Sequence, residues 1–579
     1  MGASMGRMEK TMRAVRRRRF VFAGIGLAAI LSGAALAKAE TITVSGDTSA
    51  AINAAISSAS SGDTVFIPAG TYDITASITP KSGVALSGDG SSQTILDYTG
   101  SSLNPIVNCN NSSNLAISNL TINGNNNADA EDGVLASNSS GLNISGVNFE
   151  NFVSTSAFGP LGVYCSQDVT NSSIDNCSFS NIGTSAHYGG AIRFSDGSSN
   201  NSAIGNTIAN TGRGGIFGDD GGGSNPSTNL TIENNTITGS GGVGLGIEVQ
   251  DCPDALIQGN TVDHYISVDT SSGSAVRNNI ISDTSGTYKF AGLELVNSQN
   301  VVFAGNTVNG GAQLGISESN GVAGQSSSHI YVANNTITNP STWGIQVQGG
   351  TGGISDEYFY SNTFQTAQAA NANSFAMPSG TGFRFNGNTQ NIVLDSNTIS
   401  GNAGDGIDVN GSGVDNLSFI NNTITNNGGS AVTMQGGANP SLVQWSGNSV
   451  SGNASNTGMT ATVSSDDEPT ISLNLLNTPV LGQPLDFSIT LNSDSEHLDE
   501  VLWDFGDGLP YATNGFLASH EYDTPGTYEI GVVAWDTAGN AAHLQAELTF
   551  PINTPEPAAL GVMAMGMLAL RRRPRTARS

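Results

Sequence analysis

Seven of the eight charged side chains between residues 193 and 251 of this 579-residue chain are its candidates for chemistry. They are Arg193, Asp196, Arg213, Asp219, Asp220, Glu248 and Asp251. Only seven basic residues fall between residues 38 and 570, so two arginines beside five carboxylates form an unusual concentration of positive charge. Paired carboxyl groups can act as general acid and general base, and an arginine can serve as a base. Carboxylate oxygens are also the ligands that Ca²⁺ prefers.

These side chains can meet only if the chain returns repeatedly to one surface, and an internal repeat predicts that return. A triplet such as Asn235-Thr236-Ile237 recurs up to residue 450, with a mean spacing of about 27 residues. A second segment accompanies each triplet, as in Gly246-Ile247-Glu248-Val249, with the apolar and polar alternation of a β-strand. Short strands of this kind cannot bury a core alone, but coils stacked about 4.8 Å apart can.

The Asn of each triplet predicts a buried ladder. It shares its parity with the apolar third residue, so both should point into the stack. A buried amide costs free energy unless it is hydrogen-bonded. A column with one Asn in each coil would satisfy its own amides along the stack.

The repeat resembles the right-handed parallel β-helix of the pectin-lyase-like superfamily over roughly residues 40–455. The segment from Asp47 to Tyr72 resembles the entry of pectate-lyase-like proteins. There, Thr48 or Ser49 is the expected N-cap of a short helix that covers the open end of the stack. The expected apolar face of that helix consists of Ala51, Ile52, Ala55 and Ile56. The resemblance implies an all-β fold, with a right-handed parallel β-helix over residues 38–455.

The strands that accompany the triplets, aligned coil by coil, predict one outward column of side chains. It reads Arg193, Phe217, Glu248, Ser267, Glu294, Ser317, Gln346, Arg384 and Asp408. Carboxylates on adjacent coils would be about 5 Å apart, and those two coils apart about 10 Å. These values bracket the separations found in retaining and inverting glycosidases.

The polygalacturonase pattern is matched in part. Those enzymes carry Asn-Thr-Asp, Asp-Asp one coil later, Gly-His-Gly and Arg-Ile-Lys. Asp196 and the pair Asp219-Asp220 lie at comparable places, which implies catalytic roles for these acids. The expected Gly-His-Gly is replaced by residues 244–248, and the sequence contains no Arg-Ile-Lys.

Resemblance to pectate lyases implies a second chemistry, in which an arginine removes the α-proton of a uronate held by Ca²⁺. Arg193 or Arg213 would be the base. The Ca²⁺ ligands would be Asp219, Asp220, Glu248 and Asp251. The Tyr-Asp-Pro-His motif of alginate epimerases does not occur in the sequence.

A different pattern begins after a linker at residues 456–466. The segments Trp503 to Gly508, His520 to Tyr522, Pro525 to Tyr528 and Asp536 to Asn540 follow in order. They resemble a PKD-type immunoglobulin-like β-sandwich over residues 467–550. Its expected core aromatics are Trp503, Phe505, Tyr522, Tyr528 and Trp535.

The two ends of the chain predict export and sorting. Residues 1–37 have the basic segment, apolar segment and small-residue cleavage pattern of a signal peptide. Residues 551–579 contain Pro555-Glu556-Pro557, an apolar stretch at 558–570 and terminal arginines, and resemble a PEP-CTERM sorting signal. The resemblance implies processing by signal peptidase and an exosortase, and a place at the surface of a bacterium. The apolar stretch would serve as a short, transient transmembrane anchor.

Charge limits the classes of partner that the protein can bind, and the cysteine count limits its disulfides. Residues 38–570 contain seven basic and 46 acidic residues, a net charge of −39, which excludes sequence-independent nucleic-acid binding. Four cysteines allow up to two disulfides or buried free thiols.

We therefore expect an exported β-helix protein that binds or processes extracellular polysaccharide, as a Ca²⁺-assisted lyase or a glycoside hydrolase. The alternative is a non-catalytic adhesin or exopolysaccharide-matrix scaffold.

Deletion of residues 555–579 tests the sorting hypothesis. The truncated protein should be exported but released into the medium, because the signal peptide acts alone while the retention signal is missing. Cell fractionation followed by immunoblotting measures this. Retention of the truncated protein on the cell surface at the full-length level would contradict the hypothesis.

Overall fold

A computed structural model describes the chain in segments. They are residues 38–155, 159–183, 189–239, 245–282, 291–310, 313–320, 325–368, 380–456, 470–492, 498–551 and 567–569. The predicted signal peptide lies outside them, as do the linker after residue 456 and the tail after residue 551 apart from Met567–Ala569. None of the described helices is long and apolar enough to cross a membrane.

Residues 41–451 form a right-handed parallel β-solenoid of about 14 turns, which confirms the predicted fold class. Each complete coil contributes a strand to a first, a second and a third face. The third face is a 15-stranded sheet. Its strands are Gly70–Ile74, Thr94–Tyr98, Thr121–Asn123, Asn148–Phe152, Ser178–Ile182, Thr207–Thr211, Thr236–Thr238, Thr261–Val262, Ile280–Ser282, Thr307–Asn309, Thr336–Thr338, Thr363–Gln365, Thr398–Ser400, Thr423–Thr425 and Ser449–Ser451.

The first and second faces share a 27-stranded sheet, because Trp343–Tyr360 and Thr381–Asp395 run through both faces. The other first-face strands are Val107–Asn108, Asp132–Ser137, Leu161–Gln167, Gly190–Phe194, Gly214–Gly218, Leu245–Gln250, Tyr265–Asp269, Ala291–Val296, Leu314–Ser319, Ile407–Asn410 and Val432–Gln435. The other second-face strands are Thr41–Thr43, Thr64–Ile67, Ala85–Gly88, Ala116–Ser118, Asn143–Ser145, Ser173–Asp175, Ser202–Ile204, Thr231–Glu233, Leu256–Gln258, Ala275–Arg277, Val302–Ala304, Ser327–Ala333, Val414–Ile420 and Val443–Ser446.

A helix at Ser49–Ser58 caps the start of the solenoid, as predicted. The side chain of Thr48 is the N-cap and accepts a hydrogen bond from the backbone N–H of Ala51 at 3.3 Å. Ile52, Ala55 and Ile56 are buried against the first coils. A short 3-10 helix at Pro440–Leu442 lies near the other end.

The predicted asparagine ladder is confirmed. Its ten members are Asn206, Asn235, Asn260, Asn279, Asn306, Asn335, Asn362, Asn397, Asn422 and Asn448. Each Nδ2 except the last donates to the Oδ1 of the next member at 2.9–3.1 Å. That Oδ1 also accepts the backbone N–H of the preceding member, and Nδ2 donates to a second-face carbonyl, as Asn335 does to Phe303. The side-chain amides therefore replace water inside the stack.

The residue before each ladder asparagine makes the turn into the third face. Asn334 has φ 56° and Gly305 has φ 68°, in the left-handed region that Asn and Gly adopt most easily. The recurrent Asn-Asn and Gly-Asn pairs thus have two separate roles. The first residue turns the chain, and the second hydrogen-bonds to the neighbouring coils.

Two glutamates lie inside the solenoid and were not anticipated from the sequence. Glu318 stacks in register between Leu295 and Val347, and Glu357 stacks between two isoleucines. Burial raises the pKa of Glu318 to about 7. Burial, together with the charge of Glu318, raises the pKa of Glu357 well above its ordinary value. The interior therefore favours protonated carboxyl groups.

All four cysteines are buried free thiols, which decides between the two alternatives left open by the sequence. Cys177 stands where the ladder begins, and its backbone N–H donates to Oδ1 of Asn206 at 2.9 Å. Cys109, Cys165 and Cys252 lie in the hydrophobic core.

The C-terminal region is a β-sandwich. Its three-stranded sheet contains Thr470–Leu475, Pro484–Asn492 and Leu517–Glu521. The other sheet contains Tyr511–Thr513, Leu498–Asp504, Gly526–Asp536, Ala541–Phe550 and Met567–Ala569. Trp503, Phe505, Tyr522 and Tyr528 form the core between the sheets, as predicted.

Trp535 corrects the predicted sandwich core. It is buried, but it packs with Val302, Tyr331 and Tyr358 of the solenoid. The second face of the solenoid therefore covers the outer face of the five-stranded sheet. An ion pair joins the two regions, with Nη2 of Arg277 2.6 Å from Oδ1 of Asp504.

The ladder makes a first prediction about stability. Replacement of Asn335 by Leu should lower the free energy of unfolding by about 1–3 kcal/mol, because buried groups of Asn306 and Phe303 lose their partners. The midpoint of urea unfolding measures the effect. Asn143→Leu at an exposed strand position is the control and should leave the midpoint nearly unchanged. An unchanged midpoint for the Asn335 variant would rule out a stabilising ladder.

The buried glutamates make a second prediction. A carboxyl group whose pKa is raised in the folded state contributes stability below its unfolded pKa, and that contribution is lost as pH rises through the folded value. Unfolding free energy should therefore decrease as pH rises through about 7, the pKa of Glu318. Replacement of both Glu318 and Glu357 by Gln should flatten this dependence in urea titrations at several pH values. Asp415→Asn, at an exposed position, is the control, and an equal pH slope in wild type and the double variant would contradict the prediction.

Candidate active site

The predicted outward column exists residue for residue on the first face. Parallel pairing places Arg193 beside Phe217, Phe217 beside Glu248, and then runs through each predicted position to Asp408. The neighbouring positions in each strand are occupied by core residues such as Ile216 and Ile247. Because the side chains of a strand alternate, burial of one set directs the column outward.

Arg193 and Asp219 form the most ordered part of the candidate site. Nε of Arg193 lies 2.8 Å from Oδ2 of Asp219, on adjacent coils. The other oxygen of Asp219 accepts hydrogen bonds from the hydroxyl of Ser195 and, at 3.0 Å, from the backbone N–H of Gly221. The guanidinium group of Arg193 also lies over the ring of Tyr164, 5.6 Å from its centroid. Asp219 is thus fixed in position by three donors.

Arg213 and Glu248 form a looser pair. Nη2 of Arg213 lies 3.4 Å from Oε2 of Glu248. The guanidinium group lies 5.7 Å from the ring centroid of Phe217, which stands between Arg193 and Glu248 in the column. Phe217 therefore separates the two ion pairs and provides an apolar wall.

Both pairs open into one cleft of about 250 Å³. Its lining residues are Leu161, Gly189, Arg193, Arg213, Phe217, Asp219, Asp220, Gly221, Gly222, Glu248 and Gln250. Asp220 is half-buried, and its Oδ1 accepts the backbone N–H of Gly222 at 2.8 Å. The cleft combines carboxyl groups in different environments with one aromatic wall.

Five of the predicted site residues therefore come together, and two lie outside the lining. Asp196 and Asp251 occupy turns after their strands, with φ of 47° and 48°. The backbone N–H of Asp196 donates to the carbonyl of Asp219 at 3.2 Å. Ser195 and Tyr164 were missed as site residues, although both align with predicted positions in adjacent coils. Their register with the charged residues was the signal that could have identified them.

The electrostatic setting of Glu248 differs from that of an exposed carboxyl group. Burial raises its pKa, the charge of Arg213 opposes that rise, and the charges of Asp219, Glu294 and Asp269 add to it. Deeper still, burial raises the pKa of Asp132 to about 8, although its carboxylate accepts the backbone N–H of Leu161 at 2.9 Å. Carboxyl groups with raised pKa values near a cleft are typical of acid catalysts.

The predicted Ca²⁺ site stays a prediction, and the side chains do not form a ready cradle for the ion. Asp219 and Glu248 are each paired with an arginine. Within the described segments, no three His, Cys, Asp or Glu side chains lie close enough together to hold a metal ion.

Further along the column, the charged pair Arg384 and Asp408 is buried rather than accessible. Nε of Arg384 lies 3.6 Å from Oδ2 of Asp408, and both side chains are almost fully buried. Arg384 also lies over the ring of Trp343, 4.8 Å from the centroid. This pair contributes to packing, whereas the cleft around Glu248 is open.

Family models cover the chain in overlapping parts. Residues 41–265 match the model described as "Rhamnogalacturonase A/epimerase, pectate lyase-like", and this range contains every predicted site residue. Residues 317–476 match the right-handed β-helix region, and residues 211–380 match the periplasmic copper-binding protein NosD. Residues 472–548 match the PKD domain. No curated protein sequence matches the chain.

Several solved structures are similar to the chain at low identity. One is the catalytic unit of an α-1,3-glucanase from Streptomyces thermodiastaticus, with 15% identity, coverage of 74% of this chain and 70% of that one, and a TM-score of 0.40. Another is a mannuronan C-5 epimerase A-module from Azotobacter vinelandii, with 19% identity, coverage of 73% and 100%, and a TM-score of 0.37. A third is an alginate lyase from Paenibacillus sp. FPU-7, with 15% identity, coverage of 56% and 95%, and a TM-score of 0.32.

Proposed function

We propose that the protein is a glycoside hydrolase that acts on a neutral extracellular polysaccharide in the cleft around Glu248. The observation that carries the proposal is that two half-buried carboxyl groups with different partners line one cleft. Glu248 lies beside Arg213 and burial raises its pKa, whereas Asp220 accepts the backbone N–H of Gly222. On this difference we propose Glu248 as the proton donor and Asp220 as the base. The match to a family described as rhamnogalacturonase and pectate lyase-like agrees with a carbohydrate substrate.

The reaction follows from these assignments. Glu248 donates its proton to the glycosidic oxygen, and the bond from that oxygen to the anomeric carbon breaks with its electrons staying on the oxygen. Arg213 stabilises the carboxylate that Glu248 becomes. Asp220 removes a proton from the attacking water, or attacks the anomeric carbon itself, and the configuration of the product distinguishes these two courses.

Asp219 is a positioning residue in this proposal. Its oxygens are occupied by Arg193, Ser195 and Gly221, so it holds Arg193 against the cleft wall. The ion pair between Arg193 and Asp219 also disfavours the lyase alternative, because an arginine that abstracts a proton must first lose its charge and its carboxylate partner. The net charge of −39 over residues 38–570 would repel a polyuronate and favours a neutral glycan.

Export and surface sorting belong to the same proposal. The signal peptide at residues 1–37 and the sorting segment at residues 551–579 would be cut by signal peptidase and an exosortase. The polysaccharide would then be a component of, or lie near, the cell surface or matrix. A non-catalytic adhesin or scaffold is the alternative, and it requires binding without turnover.

Variants of the cleft test the hydrolase proposal. Glu248→Gln should lower kcat by about 10²–10⁴-fold, and Asp220→Asn should cause a comparable loss, because each removes a proton-transfer group. Reducing-sugar release from a panel of neutral and anionic polysaccharides measures turnover. Glu233→Gln, in the second-face strand of the coil that carries Asp220, is the matched control and should retain activity.

The pH profile gives an independent readout. Wild-type activity should decrease on the alkaline side as Glu248 loses its proton, at a pH above the ordinary glutamate range because its pKa is raised. Glu248→Gln should lack this alkaline decrease. Full activity in the Glu248 variant would overturn the proposal. Activity that a chelator abolishes would overturn it as well and would favour the Ca²⁺-assisted lyase. Glycan binding without turnover would favour the scaffold.

A further inference from the structure

The seam between the sandwich and the solenoid is a continuous groove. Two cavities, of about 260 and 490 Å³, lie along it and share Asn334, Glu529 and Gln545. On the solenoid side, the groove follows the turn between the second and third faces through six successive coils. Those turn residues are Asn278, Gly305, Asn334, Ser361, Ser396 and Asn421. Six coils span about 24 Å at the spacing of parallel strands.

The opposite wall is the outer surface of two sandwich strands. Glu529 and Glu547 pair across these strands, as do Gly531 and Gln545. The seam cannot open easily, because Arg277 binds Asp504 through both terminal nitrogens and the carbonyl of Gly508 through Nε at 2.9 Å. The two walls therefore face each other at a fixed spacing.

An aromatic cluster at His543 also holds the walls together. Nε2 of His543 lies 2.8 Å from the hydroxyl of Tyr331, and its ring packs against Tyr358 and Tyr360, with centroids 5.0 and 4.1 Å away. Burial lowers the pKa of His543 to about 3, so the ring is neutral at physiological pH. Tyr360 and His543 contribute aromatic surface to the groove.

The polar groups in the groove suit hydroxyl groups. Glu529 accepts from the amides of Asn334 and Gln545, both at 3.4 Å, and these are long, weak bonds. Asp395 accepts from the hydroxyl of Ser396 at 2.9 Å and from the amide of Asn421 at 3.5 Å. A sugar hydroxyl both donates and accepts, so it can insert between such amide and carboxylate groups. A mixed polar, apolar and aromatic lining is typical of ligand sites.

We propose that this seam is an accessory binding groove for an extended, neutral polysaccharide chain. The identity of the ligand rests on the proposed function, since the groove would hold the same polymer that the cleft cleaves. Its carboxylates disfavour an anionic chain. A basic peptide is disfavoured too, because the walls also offer amide donors, which a peptide cation does not need.

Affinity electrophoresis of the full chain tests the groove. Native gels containing dextran, laminarin or galactomannan, with alginate as the anionic comparison, report binding as retardation. Gln545→Trp fills the centre of the groove. It should reduce retardation and raise the apparent Kd by at least about tenfold, which corresponds to the loss of one well-packed contact. Ser472→Trp blocks the groove from another strand and should act in the same way. Gln483→Trp, at an exposed sandwich turn, is the matched control and should behave as wild type.

Each outcome decides between the two proposals. Urea unfolding identifies any variant that fails to fold, and the other blocking variant then carries the test. The groove proposal would be overturned if both folded blocking variants are retarded as strongly as the wild type. It would also be overturned if the neutral polymers do not retard the wild type. The groove proposal would also be overturned if a lysine-rich peptide binds the wild type but not Gln545→Trp, while the glycans retard both proteins equally. Turnover of Glu248→Gln is measured separately, so failure of the hydrolase leaves the groove result standing.

Discussion

The asparagine ladder is the interaction on which the rest of the structure depends. Parallel coils are held by backbone hydrogen bonds, which allow a strand to slip by one residue and reverse every side chain. The ladder opposes such a slip, because each buried amide has partners only in the native register. The left-handed residue before each asparagine fixes where the turn occurs. Register is therefore set in each of the ten coils that carry a ladder asparagine.

That register produces the candidate site on the opposite side of the coil. Arg193, Phe217 and Glu248 are distant in sequence and become neighbours because their coils are stacked without slip. Short strands and a periodic turn made this column predictable from the sequence alone. The residues that follow each strand were less predictable, because turn geometry rather than alternation places them. Asp219 and Asp220 enter the cleft, whereas Asp196 and Asp251 form turns.

Features that depend on contact between the two domains could not be read from a repeat. Trp535 carries the signature of a core aromatic, and it is buried, but against the solenoid rather than inside the sandwich. Tyr358 has the alternation of an outward residue and is covered by the docked sandwich. The interior glutamates escaped prediction for another reason. Glu318 and Glu357 occupy core positions in which the sequence pattern predicts apolar residues, and only three-dimensional packing shows that they stay inside.

We propose that a stack built by asparagine pairing presents two carboxyl groups that hydrolyse glycosidic bonds. Time-resolved proton NMR of a neutral polysaccharide incubated with the full chain tests it most directly. We expect new anomeric signals of reducing-end sugars, with one configuration formed first and no olefinic signals. Olefinic protons of an unsaturated sugar, or a spectrum without new reducing ends for every polysaccharide that the protein binds, would contradict it.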